Sequence, residues 1–198
     1  MTEMKFFVYG SLTEGLVHFQ KIKDFIVEKM PGALQAKAYR LKVGFPVVVE
    51  GGLDSIPGEV ITVQASEVLV GLLDQFHGYN IQDPEKSLYF RKEKEVVTAN
   101  GVVRAWVYVL NPTQLPKNAV LIEGGNWKES LEKEPALTEK LTERQRVYIQ
   151  RLGATVGREI VPIDLPLYRE LMKLELIVDK GRRLALSKLG HEVVRYLG

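Results

Sequence analysis

The stretch from Ala38 to Gln64 limits the fold more than any other part of the chain. Phe45-Pro46-Val47-Val48-Val49 and Gly58-Glu59-Val60-Ile61-Thr62-Val63 are β-branched runs, divided by the turn-forming material of Gly51–Pro57. Branching at Cβ restricts side chains in a helix and suits a pleated surface, so both runs read as strands. The same logic applies further on, where Tyr89–Val97 and Val102–Leu110 are strand-like and join through an Asn100-Gly101 hairpin turn. Lys5–Tyr9 reads as a short buried strand, with Phe6, Phe7 and Val8 apolar in a row. Two helices interrupt the strands. One follows Gly10, with Leu16, Phe19, Ile22, Phe25 and Ile26 at helical spacing behind a Ser11-x-x-Glu14 capping box. The other spans Ser66–Phe76, with Val70 and Leu73 on one face. Hairpins mixed with helices predict an α+β fold with a mostly antiparallel sheet, not a parallel one.

Composition removes several classes of function. The chain has 198 residues, room for a medium domain and a small one. It contains no cysteine, which excludes disulfides, thiol catalysis and cysteine-ligated zinc. The three histidines, His18, His77 and His191, never pair at ligand spacing, so no metal site is expected. No run approaches the ~18 apolar residues of a membrane span. The opening MTEMKFFVYG has no signal-peptide character, and the expected location is the cytoplasm.

Pro112, Pro116, Gly124, Gly125 and Pro135 make Asn111–Glu139 an irregular connector, expected to pack on the first domain through Trp127. The predicted domains are residues 1–135 and 139–198. Thr142-x-x-Gln145 starts a helix with Leu141, Tyr148, Ile149 and Leu152 inward. Asp164 caps another, carrying Leu167, Tyr168, Leu171 and Leu174. Leu176–Val178 and Leu184–Leu186 flank the basic tip Asp179-Lys180-Gly181-Arg182-Arg183, and Ser187 starts a last helix. Helices, a hairpin and a closing helix form a winged-helix-like arrangement. Residues 1–138 carry 15 basic and 17 acidic residues, whereas 139–198 carry 12 and 8, so the tail is the basic part. Arg169 and Lys173 on one helix and Lys180, Arg182 and Arg183 at the tip are candidate phosphate contacts on DNA. The competing reading is a solvated face on a dimerisation or protein-contact module.

Several motifs occur in a fixed order. Tyr9-Gly10-Ser11-Leu12 ends the first strand. Phe45-Pro46, Gly58-Glu59-Val60 and Leu73-Asp74-Gln75-Phe76-His77-Gly78-Tyr79 follow, then Tyr89-x-Arg91, Ala105-Trp106-x-Tyr108 and Gly124-Gly125-Asn126-Trp127. This series, over roughly residues 5–130, resembles the γ-glutamylcyclotransferase-like family. The resemblance implies that family's mixed, mostly antiparallel β-barrel or sheet with flanking helices. It also implies a small γ-glutamyl or amine-bearing substrate and no cofactor. In the family's reaction the substrate's α-amino group attacks its own γ-carbonyl and 5-oxoproline leaves. Such chemistry needs a base for the ammonium and donors for the oxyanion. The resemblance places the donors in the backbone of residues 9–12. The family's proton-accepting glutamate falls at His77, where an imidazole, ordinarily titrating at about 6.5, can also accept a proton.

Each candidate has a plainer reading beside it. His77 is a catalytic base or a polar pocket residue, and Asp74, three residues earlier, is placed to orient its ring. Ser11 is a helix cap or a ligand contact. Tyr9 lines the pocket or packs with a satisfied hydroxyl. Arg91 clamps a substrate carboxylate or forms a structural ion pair. Trp106 and Tyr108 share one strand face, which is either pocket or core. Glu59, Asp83 and Glu85 are spare carboxylates able to replace the base. The alternative to an enzyme is a sensor, binding a small molecule without turnover and acting through the tail, as a homodimer on DNA or on a partner.

Overall fold

The computed structural model describes residues 3–156 and 159–197. The chain divides into two compact units, Met1–Glu134 and Pro135–Gly198.

The first unit is built on a six-stranded sheet. Its strands are β1 (Glu3–Val8), β2 (Ile26–Arg40), β3 (Pro46–Gln64), β4 (Tyr89–Thr98), β5 (Gly101–Leu110) and β6 (Val120–Leu121), in the order β3-β1-β5-β4-β2-β6. Helix α1 (Glu67–His77) covers part of it, and α2 (Trp127–Lys133) follows β6. All pairings are antiparallel except β1 with β5. The expected α+β class and mostly antiparallel sheet are therefore found, but a closed barrel is not. β3 pairs with both β1 and β2, which curls the sheet, yet β1 meets β5 at a single register position, Phe6↔Trp106. One such position is not a zipped seam.

Four local expectations are corrected. The helix predicted after Gly10 does not form. Residues 10–25 fold instead as three short 3-10 turns, Gly10–Leu12, Phe19–Lys21 and Lys23–Phe25. Gly10 sits in the left-handed region at φ 59° and Thr13 is extended, so no helix can propagate through them. The Thr13 amide and hydroxyl both donate to the Gly10 carbonyl, at 3.0 and 2.8 Å. The Ser11–Glu14 capping box is absent as a result, and Glu14 pairs with Lys29. Next, the expected turn at Gly51–Pro57 lies inside the 19-residue strand β3. Ala36 pairs with Asp54 and Lys37 with Val49, so residues 50–53 bulge out, with Gly51 and Gly52 at φ 85° and 96°. Finally, the Asn111–Glu139 connector contains β6 and α2. The β4–β5 hairpin is tipped by Ala99-Asn100, one residue earlier than read, because Gly101 already pairs with Thr98.

The core of this unit gathers Phe7, Tyr9, Leu34, Ala36, Ala38, Val48, Ile56, Val60, Val96, Ala105, Val107, Val109 and Trp127. Trp127 is almost fully buried and its indole N–H donates to the Pro57 carbonyl at 2.6 Å, as its expected packing requires. Ser66 caps α1 by accepting from the Leu69 amide. The helix buries Leu69, Leu73 and His77, a stripe at i, i+4 and i+8, and Gly78 ends it in the left-handed conformation.

The second unit comprises α3 (Leu137–Lys140), α4 (Glu143–Ala154), α5 (Leu165–Lys173), the hairpin β7 (Ile177–Asp179) and β8 (Leu184–Leu186), and α6 (Lys188–Tyr196). The capping box between Thr142 and Gln145 is complete, and Asp164 and Ser187 cap α5 and α6. Leu141, Tyr148, Ile149, Leu152, Leu167, Leu171 and Val193 are buried. Helical spacing identified Leu141, Tyr148, Ile149, Leu152, Leu167 and Leu171, whereas Tyr168 and Leu174, read into the same stripe, are only half-buried.

Candidate functional site

Strand alternation sets up the site. β4 and β5 pair Arg91 with Tyr108 and Glu93 with Trp106, so Arg91, Trp106 and Tyr108 share one face while Val107 and Val109 enter the core. Asp74 and His77 on α1 meet that shared face. The Asp74 carboxylate accepts from the Tyr108 hydroxyl at 2.6 Å and from Arg91 Nη1 at 2.9 and 3.1 Å. The Arg91 guanidinium lies 5.2 Å from the centre of the Tyr79 ring and 5.6 Å from that of Trp106. Burial first, then the hydrogen bond and negative charge of Asp74, push the Tyr108 phenol far above the usual tyrosine range, with Arg91 opposing.

His77 is buried beside this network. Its ring stacks on Tyr108 at 4.0 Å with an interplanar angle of 3°, and meets Tyr89 and Phe76 edge-on at 5.2 and 4.9 Å. Nδ1 lies 2.9 Å from the Leu73 carbonyl. A carbonyl only accepts, so this contact assigns a proton to Nδ1 and puts the lone pair of the neutral ring on Nε2. The Nδ1 partner is thus Leu73, one helical turn back. Asp74, expected to orient the ring, is engaged by Tyr108 and Arg91. It also borders a groove of about 530 Å³ with Met4, Ser66, Glu67, Val70 and Gly71.

The loop after β1 approaches from the other side. Gly10, Ser11 and Leu12 are buried, and a Cβ on Gly10 would come 3.1 Å from Pro46 Cγ. Ser11 Oγ is 2.9 Å from His18 Nδ1, and the His18 amide donates to the Ser11 carbonyl at 2.9 Å. The His18 ring stands edge-on to Phe76 at 4.8 Å. His18 therefore links the loop to the end of α1. It is fully buried, and sequence reasoning passed over it. Its only signal was position, a polar residue inside the apolar run Leu16-Val17-His18-Phe19.

The other candidates lie apart. Tyr9 belongs to the core face; its hydroxyl donates to the Tyr108 carbonyl at 2.9 Å and accepts from the Val48 amide at 3.3 Å. Arg91 is the exception and stays in the network through its ion pair with Asp74. Glu59 accepts from the Glu14 amide, Asp83 pairs with Lys86, and Glu85 is exposed. In the second unit Arg169, Lys173, Lys180, Arg182 and Arg183 are all exposed. Among the described residues no group of acidic, histidine or cysteine side chains could hold a metal, and no helix is long and apolar enough to cross a membrane.

Residues 6–129 match the family described as γ-glutamyl cyclotransferase, AIG2-like. Among solved structures, the chain is similar to YkqA from Bacillus subtilis at 23% identity. That likeness covers 67% of this chain and 42% of that one, with a TM-score of 0.50. An AIG2-like protein from Mus musculus is 18% identical over 59% of this chain and 82% of that one, with a TM-score of 0.47. A protein from Arabidopsis thaliana, solved in solution, is 24% identical over 83% and 97%, with a TM-score of 0.47. This chain thus spans less than half the length of the B. subtilis protein. No curated protein matches.

Proposed function

Since the chain belongs to the γ-glutamyl cyclotransferase, AIG2-like family, we propose that its first unit cleaves a small γ-glutamyl amide and releases 5-oxoproline, with His77 accepting the proton. One observation carries this reading: the Nδ1–H bond from His77 to the Leu73 carbonyl, which leaves Nε2 as the basic nitrogen of a ring that Tyr108 keeps in plane. Nε2 takes a proton from the substrate ammonium, and the freed amine attacks the γ-carbonyl. A 3-10 turn leaves its first two N–H groups without partners inside the turn, so the backbone N–H groups of Gly10 and Ser11 supply donors for the oxyanion. The departing amine takes that proton from His77, and the second proton, shed by the attacking nitrogen as the lactam forms, leaves with the amine as its ammonium. A folded-back substrate conformation supplies the proximity term.

Incubation with γ-glutamyl-amino acids or γ-glutamyl-amines is expected to release 5-oxoproline. His77→Ala should abolish release, and His77→Glu should raise it, because a carboxylate also attracts the ammonium. Rates unchanged from wild type in both variants would take His77 out of the mechanism.

A second reading rests on the exposed basic residues of the second unit. Here the first unit binds its ligand without turnover, and the tail acts as a winged helix on DNA or as a dimerisation module. Lys180, Arg182 and Arg183 at the hairpin tip and Arg169 and Lys173 on α5 would hold phosphates. Measurable binding across a substrate panel without 5-oxoproline, together with a salt-dependent mobility shift on duplex DNA, would select it. No shift at low salt leaves dimerisation.

A further inference from the structure

Ser11 and His18 meet in a way the cyclisation does not require. Ser11 Oγ and His18 Nδ1 are 2.9 Å apart, within the reach that defines a nucleophile and its base. The left-handed Gly10 turns the chain sharply at the end of β1 and sets Ser11 at the head of a 3-10 turn. Ser11 carries its own N–H, which has no i→i+3 acceptor within the turn, and this group sits beside Oγ, where an acyl-transfer site uses an oxyanion donor. The imidazole is locked. It is fully buried, its own backbone amide is fastened to the Ser11 carbonyl at 2.9 Å, and its ring is edge-on to Phe76. Ser11 is only 6% exposed, so any acyl group it takes must be small.

We propose that Ser11 and His18 form a nucleophile–base pair that accepts small acyl groups from activated esters, an activity separate from the cyclisation. Ser11 Oγ bonds to the ester carbonyl carbon while its proton passes to His18 Nδ1. The oxyanion forms against the Ser11 amide, the carbon–oxygen bond to the alcohol breaks, and the alcohol leaves with the proton from His18. Water then adds to the acyl-Ser11 carbonyl, giving its proton to His18. The bond to Oγ breaks, the free acid departs, and the proton returns to Ser11.

The test uses the full chain, a fluorophosphonate probe and p-nitrophenyl acetate. Neither compound has an α-amine, so the result stands whether or not 5-oxoproline is ever released from γ-glutamyl amides. One phosphonyl adduct, located by mass spectrometry at Ser11, is expected, along with acetate ester hydrolysis lost in Ser11→Ala. His18→Asn keeps a hydrogen-bonding atom near the Nδ1 position but removes the base, and should slow labelling at least ~100-fold. No adduct on the folded wild-type chain, an adduct at another residue, or unchanged labelling of Ser11 in His18→Asn would each overturn the pair. If His18→Asn fails to fold, His18→Gln takes its place, with the same slowing expected and unchanged labelling of Ser11 again overturning the pair.

Discussion

Val107 and Val109 project from β5 into a dry interior, whereas Trp106 and Tyr108, their neighbours on the same strand, project into a polar one. The dry face holds Phe7, Val48, Ile56 and Trp127, and its polar tips, the Tyr9 hydroxyl and the Trp127 indole N–H, are satisfied by backbone groups. The other face places a carboxylate, a guanidinium, a phenol and an imidazole within one network. Burial acts oppositely on the two faces. Apolar groups gain by leaving water, while each buried charge needs a partner of the right geometry. The family's chemistry is expected on the face where polar groups had to be paired, because the dry face offers nothing to titrate.

Four substitutions test that contrast. The largest effect is expected on the dry face, where Trp127→Ala removes a buried indole and should cost about 3–5 kcal/mol, read from the urea midpoint. Arg91→Met strands the Asp74 carboxylate among aromatics. Both side chains keep some solvent contact, at 16% and 20%, so about 2 kcal/mol is expected rather than the full cost of breaking a buried pair. Loss as large as that of Trp127→Ala would mean the polar face is structural first.

Tyr108→Phe keeps the stack on His77 and deletes the hydroxyl, which should cost about 1 kcal/mol at neutral pH. It also has a pH signature. A phenol whose folded value is raised stabilises the protein below the ordinary tyrosine value of about 10, and that contribution is lost as pH rises past it. The wild type should therefore lose stability above that pH faster than Tyr108→Phe, and parallel curves would contradict the buried hydrogen bond to Asp74.

The smallest effect is expected at Glu50, beside the β3 bulge. Burial raises its carboxyl, but Lys92 and Lys94 outweigh burial and hold it below the ordinary value. A lowered value gives stability that is present above about pH 4.3 and is lost as pH falls through it. Glu50→Gln should flatten that acid limb in a denaturation series, and an unchanged limb would show that the two lysines lend it nothing.

Local patterns were readable where they were decided locally. The caps at Thr142, Asp164 and Ser187, the stripe Leu141–Leu152 and the β4–β5 hairpin follow from spacing and side-chain hydrogen bonding within a few residues. The helix after Gly10 was misread because its apolar spacing was real but its backbone was not helical. Leu12 and Ile22 reach burial through turns fixed by Gly10 and Thr13.

The order of motifs from Tyr9 to Trp127, the lack of cysteine and the histidine at position 77 were in the chain from the start, and they determined the family and the questions to ask. Partner choice was not. That Asp74 would take Arg91 and Tyr108 depended on how helix and hairpin came together in three dimensions, and that His18 would reach Ser11 depended on how their loop folds. A buried polar group bonds to whatever donor or acceptor the packing brings within about 3 Å, and for Asp74 that proximity comes from elements apart in sequence.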